Sequence, residues 1–260
     1  MQQREIIKRL NEMLLKELPQ YKEQAKAFIG NSNSERRLLR SLMNVRPPMP
    51  ASEDFLMLQD TLLLLEREEI GVVDAEELST TANPRIVLWQ GDITRLKADA
   101  IVNAANSAML GCFVPCHGCI DNAIHSAAGV QLREECHRLM KEQGFEEPTG
   151  CAKITKGYNL PSKYVLHTVG PIINGVLTQK SCDELANCYR ACLSLASEHD
   201  LASVTFCCIS TGEYHFPRQR AAEIAVQTVN DFLCANRKIQ KVVFNVFTQE
   251  DLFIYKSMLV

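Results

Sequence analysis

Residues 111–122 read GCFVPCHGCIDN and place Cys112, Cys116, His117 and Cys119 within eight positions. Thiolate sulfur and imidazole nitrogen are ligands that zinc favours, and a set of three leaves one coordination position for water or a substrate oxygen. All four together would close the site and leave the ion a structural role. On spacing alone Cys116 could replace another ligand, because Cys116-x-x-Cys119 is metal-compatible. The same C-x-x-C also suits thiol–disulfide exchange. That redox motif normally opens a helix directly after a thioredoxin-type strand, whereas here a proline-containing loop precedes it. Asp121 either caps the next helix or orients a metal ligand by hydrogen bonding. His125 is expected to pack or hydrogen-bond rather than to ligate. His167, inside an apolar run, reads as a hydrogen-bonded core histidine. Cys188, Cys192, Cys207 and Cys208 lie in helix or strand patterns and are expected as buried small thiols.

Three other segments carry groups suited to a polar ligand. In GDIT (91–94) an Asp just past an apolar run can accept from an amino group or cap a turn. In NAAN (103–106) two side-chain amides can donate and accept, which suits the hydroxyls of a sugar. In ISTGEYHFP (209–217) the Ser-Thr-Gly-Glu backbone can turn its amides toward a diphosphate; His215 lies in the same loop. Each segment alone is an ordinary turn.

Elements must hold these segments in place. From Arg85 onward IVLWQ, ADAIVNAAN, CAKITKG, KYVLHTVG, VTFCCIS and KVVFNVF are short apolar runs fit for buried strands. CIDNAIHSAAG, ELANCYRACLSLASEH, RQRAAEIAVQTVNDFL and EDLFIYKSML have helical spacing. The alternation predicts an α/β sheet covered on both faces, with ligands at the strand ends. Before Arg85 the pattern is helical: Ile6, Ile7, Leu10, Met13, Leu14 and Leu18 form one run, and Tyr21 to Ile29 roughly a second. Leu38, Leu39, Leu42 and Met43 mark a third run, after Asn33. Phe55, Leu56, Leu58, Leu62, Leu63 and Leu65 mark a fourth, beyond VRPPMPASEDF, whose prolines cannot continue a helix. The expected organisation is an N-terminal helical extension, residues 1–84, and an α/β domain, residues 85–260.

The chain has 260 residues, 46% of them hydrophobic and 23% charged, which suits one large domain with an extension. A net charge of −3 gives no electrostatic reason to expect nucleic acid or a membrane surface as partner. Charges interrupt every long apolar run, and MQQREIIKRLNEMLLKELPQ lacks the apolar region of a signal peptide. The cytoplasm is therefore the expected compartment, where eleven cysteines suggest thiols, metal ligands or redox chemistry.

The ordered series GDIT, DAIVNAAN, CIDNAIHSAAG, TGCAKITKGYNLP, YVLHTVGP, CYRACLSLA, ISTGEYHFP and AAEIA, from about Arg85 to Val260, resembles the macrodomain, an ADP-ribose-binding module. The resemblance implies a three-layer α/β/α fold with a mixed central sheet, beside the N-terminal helical extension. It implies that Asp92 and Ile93 hold the adenine end, with Gly91 beside them among the ligand-binding residues. It implies that Asn103 and Asn106 face the distal ribose, and that Ser210, Thr211, Gly212, Glu213 and Tyr214 wrap the diphosphate and ribose. Where most macrodomains carry a run of glycines, this chain has GCFVPCHGCIDNAIH. That loop, and the helical extension, resemble the zinc-dependent microbial macrodomains. Matching their motif assigns Cys112, His117 and Cys119 to one Zn2+ per chain and puts Cys116 on a variable position. The activity implied is removal of mono-ADP-ribose from modified proteins, with Asn103, Asn106 and Asp121 as the expected catalytic side chains. A lipoyl-carrier protein is an implied substrate, and a sirtuin-like ADP-ribosyltransferase an implied functional partner. The competing functions are a non-catalytic ADP-ribose reader, a hydrolase of O-acyl-ADP-ribose, and a zinc-stabilised interaction protein with the N-terminal helices as its working surface.

Overall fold

A computed structural model describes residues 2–28 and 30–259; Ile29, at the end of the second expected run, and Val260 lie outside the described residues. The chain opens with α1 (Gln3–Glu17), the single turn α2 (Lys22–Ala25), α3 (Ser32–Val45) and α4 (Glu53–Ile70). Helix α1 buries Ile6, Ile7, Leu10 and Leu14; each such side chain contributes roughly 1.5–3 kcal/mol when fully buried. Asn31 starts α3 by accepting from Asn33 N and Ser34 N, and Ser52 starts α4 by accepting from Phe55 N. The helix expected from Tyr21 breaks into α2 flanked by two 3-10 turns. Within α2 only Ala25 is buried, too little apolar contact to carry a longer helix. The inward faces of α1, α3 and α4 form their own apolar cluster, which Val130 of the α/β part joins.

The α/β part contains β1 (Val73–Asp74), β2 (Ile86–Gln90), β3 (Leu96–Lys97), β4 (Ala100–Ala105), α5 (Ile120–Ala128), α6 (Val130–Gln143), β5 (Ala152–Lys156), β6 (Tyr164–Val169), α7 (Gln179–Glu198), β7 (Ser203–Phe206), α8 (Arg218–Ala235), β8 (Lys241–Val246) and α9 (Gln249–Leu259). The main sheet runs in the order β2-β8-β7-β4-β6-β5. Its pairs are parallel except β5 with β6, so the sheet is mixed. Short β1 pairs with β3, and Ala75 beside it belongs to the main core. Helices α7, α8 and α9 adjoin one another on one side, α5 and α6 lie on the other, and α3 packs against α5. The three-layer fold expected from the sequence is present, with the N-terminal helices beside it.

Two elements differ from the sequence pattern. Helix α6, VQLREECHRLMKEQ, was hidden by its charged residues; its buried face holds Val130, Leu132, Arg133 and Cys136. The run VTFCCIS stops being a strand at Phe206, so Cys207 and Cys208 belong to the loop after β7. Among the described residues no helix is long and apolar enough to cross a membrane. Although β4 and its neighbour β7 run parallel, the chain continues from β4 toward the β6–β5 side of the sheet and from β7 toward β8 on the other side. The loops that follow these two strands therefore diverge and leave a crevice at their carboxyl ends.

Candidate active site and metal centre

A cleft of about 660 Å³ opens at that edge, lined by the segments that follow β2, β4, β6, β7 and β8. After β2, Gly91, Asp92 and Ile93 form part of the wall. Asp92 Oδ1 accepts from Thr94 N at 2.9 Å and Thr94 Oγ1 at 2.7 Å, which turns the chain sharply past the strand end. Asn245, at the end of β8, donates to Gly91 O at 2.9 Å.

After β7 the segment 207–216 folds over the cleft. Ser210 and His215 adopt positive φ of 65° and 57°, and Phe216 N donates back to Ser210 O at 2.9 Å. The buried Phe216 ring anchors the end of this turn. The amides of Gly212, Glu213 and Tyr214 find no acceptor among the described residues. Free amides on consecutive residues make a nest for an anion. Ser210, Thr211, Gly212, Glu213 and Tyr214 all line the cleft, whereas His215 does not.

The loop after β4 brings one ligand atom each from Cys112, His117 and Cys119 within 4.8 Å of one another. All three residues lie on the cleft wall. Cys119 is the N-cap of α5 and its sulfur accepts from Asn122 N at 3.4 Å. Burial, with the neighbouring Cys112 adding to it, nevertheless pushes the Cys119 thiol up to about 12. A cation at this position would offset the burial that holds the Cys119 thiol protonated. His117 Nδ1 is buried without a hydrogen-bond partner among the described residues. A sulfur–nitrogen–sulfur donor set with an unspent imidazole nitrogen fits zinc and leaves room for a fourth ligand from the cleft. Cys116 stands apart from this group. Its backbone is left-handed, φ 52°, and its sulfur lies 3.3 Å from Ser41 Oγ and 3.6 Å from Arg37 O of α3. Neither the four-ligand set nor the C-x-x-C exchange pair matches that orientation.

Asp121 lines the cleft beside Cys112, His117 and Cys119 although its side chain is buried. Asn103 Nδ2 donates to its Oδ1 at 2.8 Å, and Asn106 Nδ2 reaches its Oδ2 at 3.4 Å. Burial pushes the carboxyl up to about 6, against the pull of the Asn103 hydrogen bond and of Arg133. Asn106 reaches the cleft, but Asn103 does not: it is 0% exposed. Its amide instead spans Asp121 and His167 Nδ1, at 3.1 Å. Since β4 is buried on both faces, an Asn within it can point either to the cleft or beneath it. His167 Nε2 in turn meets Thr155 Oγ1 at 2.9 Å, as expected of a core histidine. His125 is buried as well, but both its ring nitrogens lack partners among the described residues.

Sequence reasoning missed several cleft residues. Phe113 stacks over the Arg133 guanidinium at 4.2 Å. Phe247, 75% exposed, projects just beyond β8. Arg218 pairs with Asp251 at 2.6 Å, and Thr248 Oγ1 donates to the same carboxylate. Applying the strand-end rule to KVVFNVF, as to the other strands, would have pointed to Asn245, Phe247 and Thr248.

The sequence pattern of the family described as Macro domain matches residues 102–225. A protein-ADP-ribose hydrolase of Treponema medium is 52% identical over 253 residues, covering 96% of both chains. A protein-ADP-ribose hydrolase of Staphylococcus aureus strain MSSA476 is 52% identical over 222 residues, 85% of this chain and 83% of the relative. Among solved structures, a Trypanosoma brucei macrodomain in complex with ADP-ribose superposes with a TM-score of 0.65 at 32% identity. That match covers 84% of this chain and 94% of the other.

Proposed function

The chain belongs to the Macro domain family, and from that premise we propose that it is a protein-ADP-ribose hydrolase whose turnover depends on zinc held by Cys112, His117 and Cys119. The observation that carries the reading is the three-ligand group on the wall of a cleft large enough for a nucleotide ligand. The two bacterial relatives named as hydrolases of this kind support the activity. The proposal takes residues 1–84 as an extension, residues 85–260 as the catalytic domain and the cytoplasm as the compartment. A lipoyl-carrier protein as the modified substrate and a sirtuin-like transferase as the enzyme that modifies it rest on the likeness of the GCFVPCHGCIDN loop to the zinc-dependent subgroup.

Each segment of the cleft has a part in this reaction. Asp92 accepts from the adenine amino group, and the Ile93 backbone completes the adenine contact. The free amides of Gly212, Glu213 and Tyr214 bind the diphosphate. Binding energy gained there, far from the bond to be broken, is used to position the distal ribose. Asn106 orients that ribose so that its anomeric carbon, or the carbonyl of an ester linkage, comes to the ligand group. Asp121, held by Asn103 from beneath, is fixed as a hydrogen-bond acceptor for a hydroxyl in the cleft. Zinc at this set supplies Lewis acidity, polarising a ribose hydroxyl or leaving oxygen or lowering the pKa of a water.

The test pairs metal content by mass spectrometry, on protein purified without added metal, with hydrolysis of a mono-ADP-ribosylated protein before and after chelation. About one zinc per chain is expected, with activity lost on chelation and restored by zinc. Zinc retained with activity indifferent to it makes the site structural. ADP-ribose binding without zinc or turnover makes the protein a reader. Faster cleavage of O-acyl-ADP-ribose than of modified protein shifts the substrate to the free metabolite. Phe247→Ala should weaken ADP-ribose binding by about tenfold, the loss of one base-stacking contact, with kcat unchanged.

A further inference from the structure

The ligand loop does little to hold itself. Between β4 and α5 its own backbone makes two turn hydrogen bonds, Met109 N to Asn106 O and His117 N to Val114 O. Two of its non-glycine residues, Met109 and Cys116, have positive φ of 57° and 52°, a conformation that persists only where the surroundings enforce it. The enforcement comes from outside the loop. Arg40 of α3 donates through Nη2 to His117 O at 3.4 Å and to Asn122 Oδ1 at 2.8 Å. Asn122 Nδ2 then holds Val114 O at 3.0 Å. Asn44 of α3 accepts from Cys116 N at 2.9 Å and donates to Ser126 Oγ at 3.0 Å. Arg133 of α6, 5% exposed, donates through Nε to Leu110 O at 2.6 Å. Its Nη1 donates to the carbonyls of Met43, Asn44 and Arg46, where α3 ends. One guanidinium thus ties the end of α3 to the start of the loop, using carbonyls that a helix end leaves unpaired.

We propose that Arg40 and Asn44 of α3, together with Arg133, are positioning residues that hold the loop in the shape that gathers Cys112, His117 and Cys119. This gives the N-terminal helices a task in the reaction: they form the wall against which the ligand loop is set. The inference rests on the metal reading of that loop. Loss of such a support weakens metal affinity through the ligands it orients, while the amides and Asp92 that hold the nucleotide are untouched.

The test uses the full chain and the variants Arg40→Ala and Arg40→Lys. Zinc affinity is measured by competition with a chromophoric chelator, ligand geometry by the visible spectrum of the cobalt(II)-substituted protein, and ADP-ribose affinity by calorimetry. Arg40→Ala should lose about 10–100-fold in zinc affinity and shift the cobalt bands, with ADP-ribose affinity changed less than about threefold. Arg40→Lys, which keeps a donor for both acceptors, should restore most of the loss. Asn44→Ala, which removes only the acceptor for Cys116 N and the donor to Ser126, repeats the test where Arg40→Ala fails to fold. Wild-type zinc affinity and cobalt spectrum in the alanine variant overturn the positioning role. A wild-type chain that takes up neither metal overturns the metal reading, and the positioning role with it.

Discussion

Two groups of cysteine and histidine in this molecule have similar spacing in space and opposite character. Cys112, His117 and Cys119 lie on the cleft wall; His125, Cys136 and His167 are just as closely gathered but fully buried. What separates them is access from the cleft and, at His167 though not at His125, whether the lone pairs are already used. His167 meets Asn103 at one nitrogen and Thr155 at the other, and burial lowers its pKa to about 3. Burial also pushes the Cys136 thiol far up and the His125 imidazole well down, and the neighbouring His167 and Arg133 lower His125 further, so a further cation is disfavoured in the same place. In the outer group His117 keeps an unpartnered nitrogen, and the cleft gives access. Residue type and proximity therefore make a ligand set only where donors are unspent and an ion can enter.

The largest expected effect separates the groups directly. Cys119→Ser should lose zinc and about a thousandfold of turnover while retaining ADP-ribose binding. Cys136→Ser should keep zinc, binding and turnover, and lose only about 1–3 kcal/mol of stability by burying a hydroxyl in place of a thiol. Metal analysis, single-substrate kinetics and urea unfolding on both variants suffice. Loss of zinc from Cys136→Ser breaks the comparison.

A smaller effect is expected where the groups touch. Gly111 has φ +77°, and a Cβ there would lie 2.8 Å from the His125 ring. Gly111→Ala should therefore cost about 1–3 kcal/mol and push the loop off its seat, weakening zinc binding by about tenfold. Adding His125→Ala should return the steric share of that loss but not the backbone share. If the double variant binds zinc no better than Gly111→Ala, the inner histidine is not the floor of the outer site.

How much of this was legible beforehand follows from the range of each interaction. Apolar runs such as IVLWQ and KYVLHTVG announced buried strands because burial on both faces is written locally. GDIT and ISTGEYHFP announced turns because turn chemistry is local too, whereas their facing a ligand followed only from the likeness of the whole ordered series to the macrodomain. The side to which Asn103 points was not legible: in a strand buried on both faces, alternation carries no inside or outside. Cys116 was equally ambiguous, since spacing cannot state that its backbone turns left-handed and aims the sulfur at α3. Helix α6 escaped notice because its buried face includes Arg133, whose partners lie about ninety residues earlier in the chain.

The smallest expected effect is a slope. His167 titrates near 3 when folded and near the usual 6.5 when unfolded. Between these values the unfolded chain binds the additional proton, so stability rises with pH, and it is lost as pH falls from 6.5 toward 3. One such group contributes up to about 1.4 kcal/mol per pH unit. His125, lowered in the same direction, adds to the slope. Asp121 opposes it between 3.8 and about 6, because its folded carboxyl holds a proton longer. Acid also releases metal from thiolate and imidazole ligands, which would mimic the effect. Urea unfolding at several pH values in the presence of a chelator removes that contribution. The slope of the wild-type chain should survive chelation, and His167→Gln should flatten it. A slope that disappears with the metal would assign the acid sensitivity to Cys112, His117 and Cys119, and the inner histidines would then contribute nothing that the outer group does not.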